Sequence, residues 1–196
     1  MGLAAEKSIF TGADYLAWDE GQSVRHEYFQ GEVFAMAGGS DNHATVILNV
    51  AIAIKQHIKG IPCRVFTHDV KLHVEKANSY FYPDVFVTCS ERDAKERLVK
   101  TEAKLVIEVL SPSTTAFDRG HKFEAYRSLP TLQEFVLIDP EALTAETYRR
   151  SANDEWILRA FGVGQGLTLH SLDLSMTAAE LFADVVIDPP SEATSA

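Results

Sequence analysis

The chain has 196 residues, 46% of them hydrophobic and 23% charged, with a formal net charge of −10. That composition excludes a disordered, collagen-like or disulfide-stapled chain and suits one domain with a core of its own. No apolar run reaches the roughly 18 residues a membrane-spanning helix needs, and the start MGLAAEKSIF lacks the basic end and apolar stretch of a signal peptide, so a cytoplasmic protein without a membrane partner is expected.

The acidic balance argues against a nucleic-acid partner until its distribution is considered. Residues 55–127 carry 13 basic against 10 acidic side chains and form the one net-basic third of the chain. The two cysteines, Cys63 and Cys89, lack CxxC spacing, which argues against a zinc site and against an extracellular disulfide framework.

In chain order, residues 11–19 predict a short helix with Thr11 as N-cap. HEYFQGEVFAMAGG predicts a hairpin turning at Gln30-Gly31. Val46, Ile47, Val50, Ile54 and Ile58 recur at helical spacing after Ser40-Asp41-Asn42, and Gly60-Ile61-Pro62 ends that run. Residues 64–74 alternate as a half-exposed strand, whereas 80–88 and 104–110 are nearly continuous apolar runs, as in strands covered on both faces. ERDAKERLVKTE between them reads as a charged surface excursion. A second helix spans 116–129 and stops near Leu129-Pro130, and a buried strand covers 133–138. Short strands follow at 145–148, 156–160 and 167–169, then a helical turn at 178–182. The fold class is therefore α/β or α+β, with a central mixed sheet flanked by helices. The organisation expected is a single domain over residues 1–185 and a disordered tail over 186–196.

Two carboxylates interrupt apolar strands: Asp84 in YFYPDVFV and Glu108 in LVIEVL. An isolated carboxylate in such a place costs several kcal/mol unless a cation or hydrogen bonds offset it. Each could instead meet backbone N–H groups or an arginine at a strand end. Two on successive strands, about 4.8 Å apart, could share a divalent cation. Asp118, Lys122 and Tyr126 are spaced by four and form one helical stripe, which is either a solvated ion pair or a stripe turned toward the sheet. The short linker SPSTTAF favours the second arrangement by starting the helix near Glu108. Two acids and a lysine are the equipment for metal-dependent phosphodiester hydrolysis. The acids hold Mg²⁺ or Mn²⁺, and the ammonium stabilises the nucleophile or the developing charge.

PDVFVTC, LVIEVLSPSTTAFDRGHKFEAYRSL and EFVLIDP closely resemble the Uma family of endonucleases, within the PD-(D/E)XK restriction-endonuclease-like superfamily. The likeness runs from about residue 15 to residue 182. It implies a restriction-endonuclease-like α/β/α core, with an extra N-terminal hairpin and short C-terminal strands. Asp84 looks like the motif aspartate and Glu108 like the second metal ligand, with the Val109 carbonyl completing the shell. The superfamily's lysine normally lies two residues after that acid, where this chain has Leu110, and Lys122 on the following helix is similar to the position the family uses instead. Glu27 resembles a further acidic position of the site, although an exposed hairpin carboxylate is an equal alternative. His43 matches a family position too, in a place where a structural histidine is common. Asp118 and Tyr126 would orient Lys122.

The function expected is a Mg²⁺- or Mn²⁺-dependent DNA endonuclease, working as a homodimer because cutting both strands needs two sites. The alternative is a non-catalytic module that keeps the nuclease fold to bind nucleic acid or a protein partner. A metal-independent pair of carboxylates, as in glycosidases, lacks a Trp-rich loop near either acid. GxSxG, P-loop and HExxH motifs do not occur.

Overall fold

The computed structural model describes residues 10–36 and 38–187. Most of the expected tail, residues 188–196, therefore lies outside the described residues. Helix α1 (Gly12–Asp19) begins at a capping box between Thr11 and Asp14. Strands β1 (His26–Phe29) and β2 (Glu32–Ala35) form the hairpin. Gln30 and Gly31 both take positive φ, as a tight turn between twisted strands requires. Helix α2 (Asp41–His57) starts where the Ser40 side chain accepts from the His43 N–H.

Residues 64–74 do not form one strand. They split into β3 (Arg64–Thr67) and β4 (Lys71–Val74), which belong to different sheets. The run at 80–88 splits likewise into β5 (Ser79–Phe81) and β6 (Val85–Thr88), with Tyr82-Pro83-Asp84 crossing between the sheets. Proline cannot donate to a ladder, so the break falls where a continuous strand would lose a hydrogen bond. The stretch expected to be a surface excursion holds helix α3 (Glu91–Lys95) and strand β7 (Val99–Lys100), and buries two of its charges. Asp93 accepts from the N–H groups of Thr101 and Glu102, while Lys100 Nζ donates to the carbonyls of Asp93 and Glu96.

Strand β8 (Ala103–Val109) leads into α4 (Thr115–Phe117), a π-helical turn at Asp118–Lys122, and α5 (Phe123–Tyr126). Strands β9 (Glu134–Asp139), β10 (Thr144–Arg150), β11 (Trp156–Phe161), β12 (Leu167–Leu169) and β13 (Leu174–Met176) follow, and helix α6 (Ala178–Leu181) comes after them. Strands β10 and β11 are longer than expected and extend the main sheet, while β12 and β13 pair only with each other.

The main sheet has the order β11-β10-β9-β8-β6-β3; β8 and β9 run parallel and the other neighbours antiparallel. A second sheet, β2-β1-β5-β4-β7, absorbs the hairpin. Successive side chains alternate across the main sheet. Val85, Val87, Leu105, Ile107 and Val136 pack under α2, whereas Phe86, Val106, Phe135 and Leu137 pack against α5 and the second sheet. This is the mixed α/β architecture expected, with a central mixed sheet between helices. Among the described residues no helix is long and apolar enough to cross a membrane.

The cysteines form a disulfide, contrary to the expectation from their spacing. Strands β3 and β6 pair Arg64 with Thr88, so Cys63 and Cys89 become the next cross-strand neighbours. A separation of 26 residues in sequence hides this contact.

Candidate active site

Glu108 belongs to the face of β8 turned toward α5 and is almost fully buried. Its Oε1 accepts from the Tyr126 hydroxyl at 2.8 Å, and its Oε2 accepts from the Asp84 N–H at 3.4 Å. Asp84 sits just ahead of β6, at the crossing between the sheets, and its Oδ2 accepts from the Val109 N–H at 2.7 Å. Main-chain donors thus bind the two acids to each other's strands, and the carboxylates share one end of the cleft.

The helix after β8 brings its ammonium to the same place. Lys122 Nζ lies 3.1 Å from Glu27 Oε1, 3.3 Å from Glu108 Oε1 and 3.3 Å from Asp118 Oδ1. The stripe of Asp118, Lys122 and Tyr126 faces inward, and all three side chains are buried. Tyr126 binds Glu108 rather than Lys122, so it orients the acid and not the ammonium. Glu27 is not an exposed hairpin carboxylate: it is buried, and its Oε1 also accepts from the Tyr82 N–H at 3.0 Å. His43, in the first turn of α2, places Nε2 3.3 Å from Asp84 Oδ2. The structure therefore gathers Glu27, Asp84, Glu108, Asp118, Lys122 and His43 around one cleft of about 400 Å³, also lined by Phe34, Ser111 and Phe117, with the buried Tyr126 bound to Glu108 behind it.

Electrostatics follow from the count. Four carboxylates meet one lysine and one histidine in a mostly buried space. Burial raises the Glu108 carboxyl well above its ordinary range; Lys122 opposes this, while Asp84, Asp118 and Glu27 add to it. Glu27 is raised for the same first reason, again with Lys122 opposing. Burial alone would lower the Lys122 ammonium, but the surrounding carboxylates outweigh it and hold it well above its usual value. Burial also lowers His43, yet Asp84 and the Val109 main chain prevail and its net shift is upward.

Oxygen donors of this kind suit a hard divalent cation. Asp118 Oδ1 is buried beside Lys122 Nζ at 3.3 Å and accepts no hydrogen bond among the described residues. Among the described residues no three His, Cys, Asp or Glu side chains are arranged to cage an ion by themselves. A site built on two carboxylates and a main-chain oxygen, completed by water, meets the habits of Mg²⁺ without such a cage.

Several neighbours escaped the sequence reading. Asp19 pairs with Lys71 Nζ at 2.9 Å and accepts from the Tyr82 hydroxyl at 3.1 Å, which props the Tyr82 main chain that holds Glu27. Gly39 lies against the His43 ring. The only sequence signal for either was the Gly38-Gly39 pair ahead of the Ser40 cap.

The chain is similar in fold and in sequence to known proteins. A crystal structure titled as a putative nuclease belonging to DUF820 from Anabaena variabilis ATCC 29413 superposes with a TM-score of 0.71 at 18% identity, covering 84% of this chain and 93% of that one, and so shares the fold. Two uncharacterized proteins of Synechocystis sp. are similar in sequence. One, slr1290, is 36% identical over 86% of this chain and 89% of its own length. The other, sll1609, is 34% identical over 81% and 90%. Residues 13–180 match the Uma2 family, described as "Putative restriction endonuclease". With that match spanning most of its length, the chain belongs to the Uma2 family.

Proposed function

We propose that the protein is an endonuclease that hydrolyses DNA phosphodiester bonds with Mg²⁺ or Mn²⁺. The observation that carries this reading is the convergence of Asp84, Glu108 and Lys122, which leaves a buried surplus of negative charge on oxygen donors. Asp84, Glu108 and the Val109 carbonyl would hold the ion, which when bound supplies an acidified water and withdraws charge from a phosphate oxygen. The chain's own contribution is positional. Tyr126 fixes Glu108 by its hydroxyl, and the Val109 N–H fixes Asp84. Asp118 and Glu27 keep Lys122 charged and aimed at Glu108, ready to stabilise negative charge that develops beside it. Cleavage of both strands requires two such sites, so the proposal includes a homodimer. It also includes action in the cytoplasm, whose reducing conditions would keep Cys63 and Cys89 as thiols.

The test is nicking of supercoiled plasmid with Mg²⁺ or Mn²⁺. Asp84→Ala and Lys122→Ala should each abolish cleavage, and parental activity in both variants would remove this mechanism. One observation favours a second reading, a non-catalytic module that binds nucleic acid or protein: three carboxylates already engage Lys122. Manganese binding that does not depend on Glu108, together with DNA retention without cleavage, would support it.

A further inference from the structure

The mechanism above gives His43 no task, yet its ring is more tightly seated than a surface histidine needs. The Ser40 hydroxyl fixes its backbone by accepting the His43 N–H at 3.2 Å. A Cβ on Gly39 would fall 2.9 Å from His43 Cγ and closer still to Nδ1, so the ring fits only because residue 39 has no side chain. Its opposite edge presents Nε2 to Asp84 Oδ2 at 3.3 Å.

We infer that His43 plugs the metal position: its ring edge stands against the Asp84 carboxylate oxygen, in space that a divalent cation bound there would need, and it must swing aside before an ion can bind. This rests on the reading of Asp84 and Val109 as metal ligands. Asp84 Oδ2 already accepts from the Val109 N–H at 2.7 Å, and the imidazole crowds the remaining approach to that oxygen. An imidazole edge and a metal ion cannot occupy the same space beside one oxygen. The ring has somewhere to go, because His43 stands on the border between the site cleft and an open groove of about 1040 Å³ that passes Met36, Ala44 and Lys71. The competing idea, that Nε2 is itself a ligand, gives the opposite sign in a binding measurement.

The experiment is calorimetric titration of the full chain with Mn²⁺ at one fixed pH and ionic strength. It compares the parent, His43→Ala and Gly39→Ala; the last keeps the imidazole but pushes it off its seat. Both variants should bind Mn²⁺ about tenfold or more tightly than the parent, and Asp84→Asn added to either should abolish the gain. Weaker binding by His43→Ala would make the histidine a ligand and overturn the plug. Equal, Asp84-dependent binding by all three proteins would also overturn it while leaving the metal reading intact. Should parent and variants all fail to bind, the metal reading falls and the plug with it. Thermal melts identify a variant that does not fold, in which case His43→Asn and Gly39→Ala carry the comparison.

Discussion

Replacing Lys122 by methionine tests the electrostatic core of the site without emptying it. Methionine keeps the length of the stem and deletes the ammonium, which lies 5.9 Å from the centre of the Phe81 ring and which Glu27, Glu108 and Asp118 surround. Removing one partner from a buried ion pair typically costs about 3–5 kcal/mol, because the opposite charge is left uncompensated. For a chain of this size each kcal/mol moves Tm by about 2–4 °C, so the variant should melt roughly 6–20 °C below the parent near neutral pH. The deficit should shrink on acidification. Glu27 and Glu108 are already raised by burial and lose the opposing pull of Lys122 in the variant. A carboxyl whose folded pKa lies above its unfolded value destabilises the fold at high pH, and that penalty fades as pH falls toward about 4.5. Manganese at about 100 times its Kd should return roughly 2.7 kcal/mol if it takes the place of the missing charge. Circular-dichroism melts at about pH 8 and about pH 5, with and without Mn²⁺, read all three effects. A variant that melts with the parent at both pH values would refute the claim that Lys122 neutralises a buried acidic cluster.

Tyr126→Phe deletes the buried hydroxyl that donates to Glu108 at 2.8 Å, and urea melts should show a loss of about 1.5–3 kcal/mol with an unchanged m-value. Cys63→Ser opens a cross-link spanning 26 residues between paired strands; the chain-entropy account expects a loss of roughly 3–4 kcal/mol, which reductant should reproduce in the parent but not in the variant. His73 stacks on Tyr80 with ring centroids 4.2 Å apart, and burial lowers its pKa below 6.5. Its stability contribution is present above about pH 6.5 and is lost as pH falls toward the folded value. His73→Phe, which keeps the stack, should therefore lose less stability than the parent between about pH 7 and pH 5. The opposite shift of His43 is common to both proteins and cancels from the comparison.

Charged residues at odds with their neighbours made the site legible. Asp84 and Glu108 each break an apolar run, and Lys122 shares a helical stripe with Tyr126, so their meeting could be expected from pattern and linker length. Glu27 could not be read the same way. Its burial depends on β1 pairing with β5, Tyr28 opposite Tyr80, and on the long-range approach of Lys122, neither of which leaves a mark in HEYF. The break inside 64–74 was hidden for a related reason: alternation continues through His68-Asp69-Val70 although the chain is leaving one sheet for another. Lys100 and Asp93 read as surface because composition reports no local geometry, yet each is buried by binding main-chain groups of a nearby turn. The disulfide followed from strand register alone.

The wide turn at Asp118–Lys122 closes with the Phe123 N–H donating to the Asp118 carbonyl, one residue farther than in a regular helix. That surplus residue sets the phase between two aromatic anchors: Phe117 before it, against Phe29 and Phe81, and Phe123 after it, against Phe135. Each residue of an ordinary helix turns the axis by about 100°. Excising one amino acid, such as Gly120, would therefore force a choice between seating Phe117 and aiming the ammonium, since no rigid rod could satisfy both. Length constrains this stretch of chain as firmly as the identity of its lysine does.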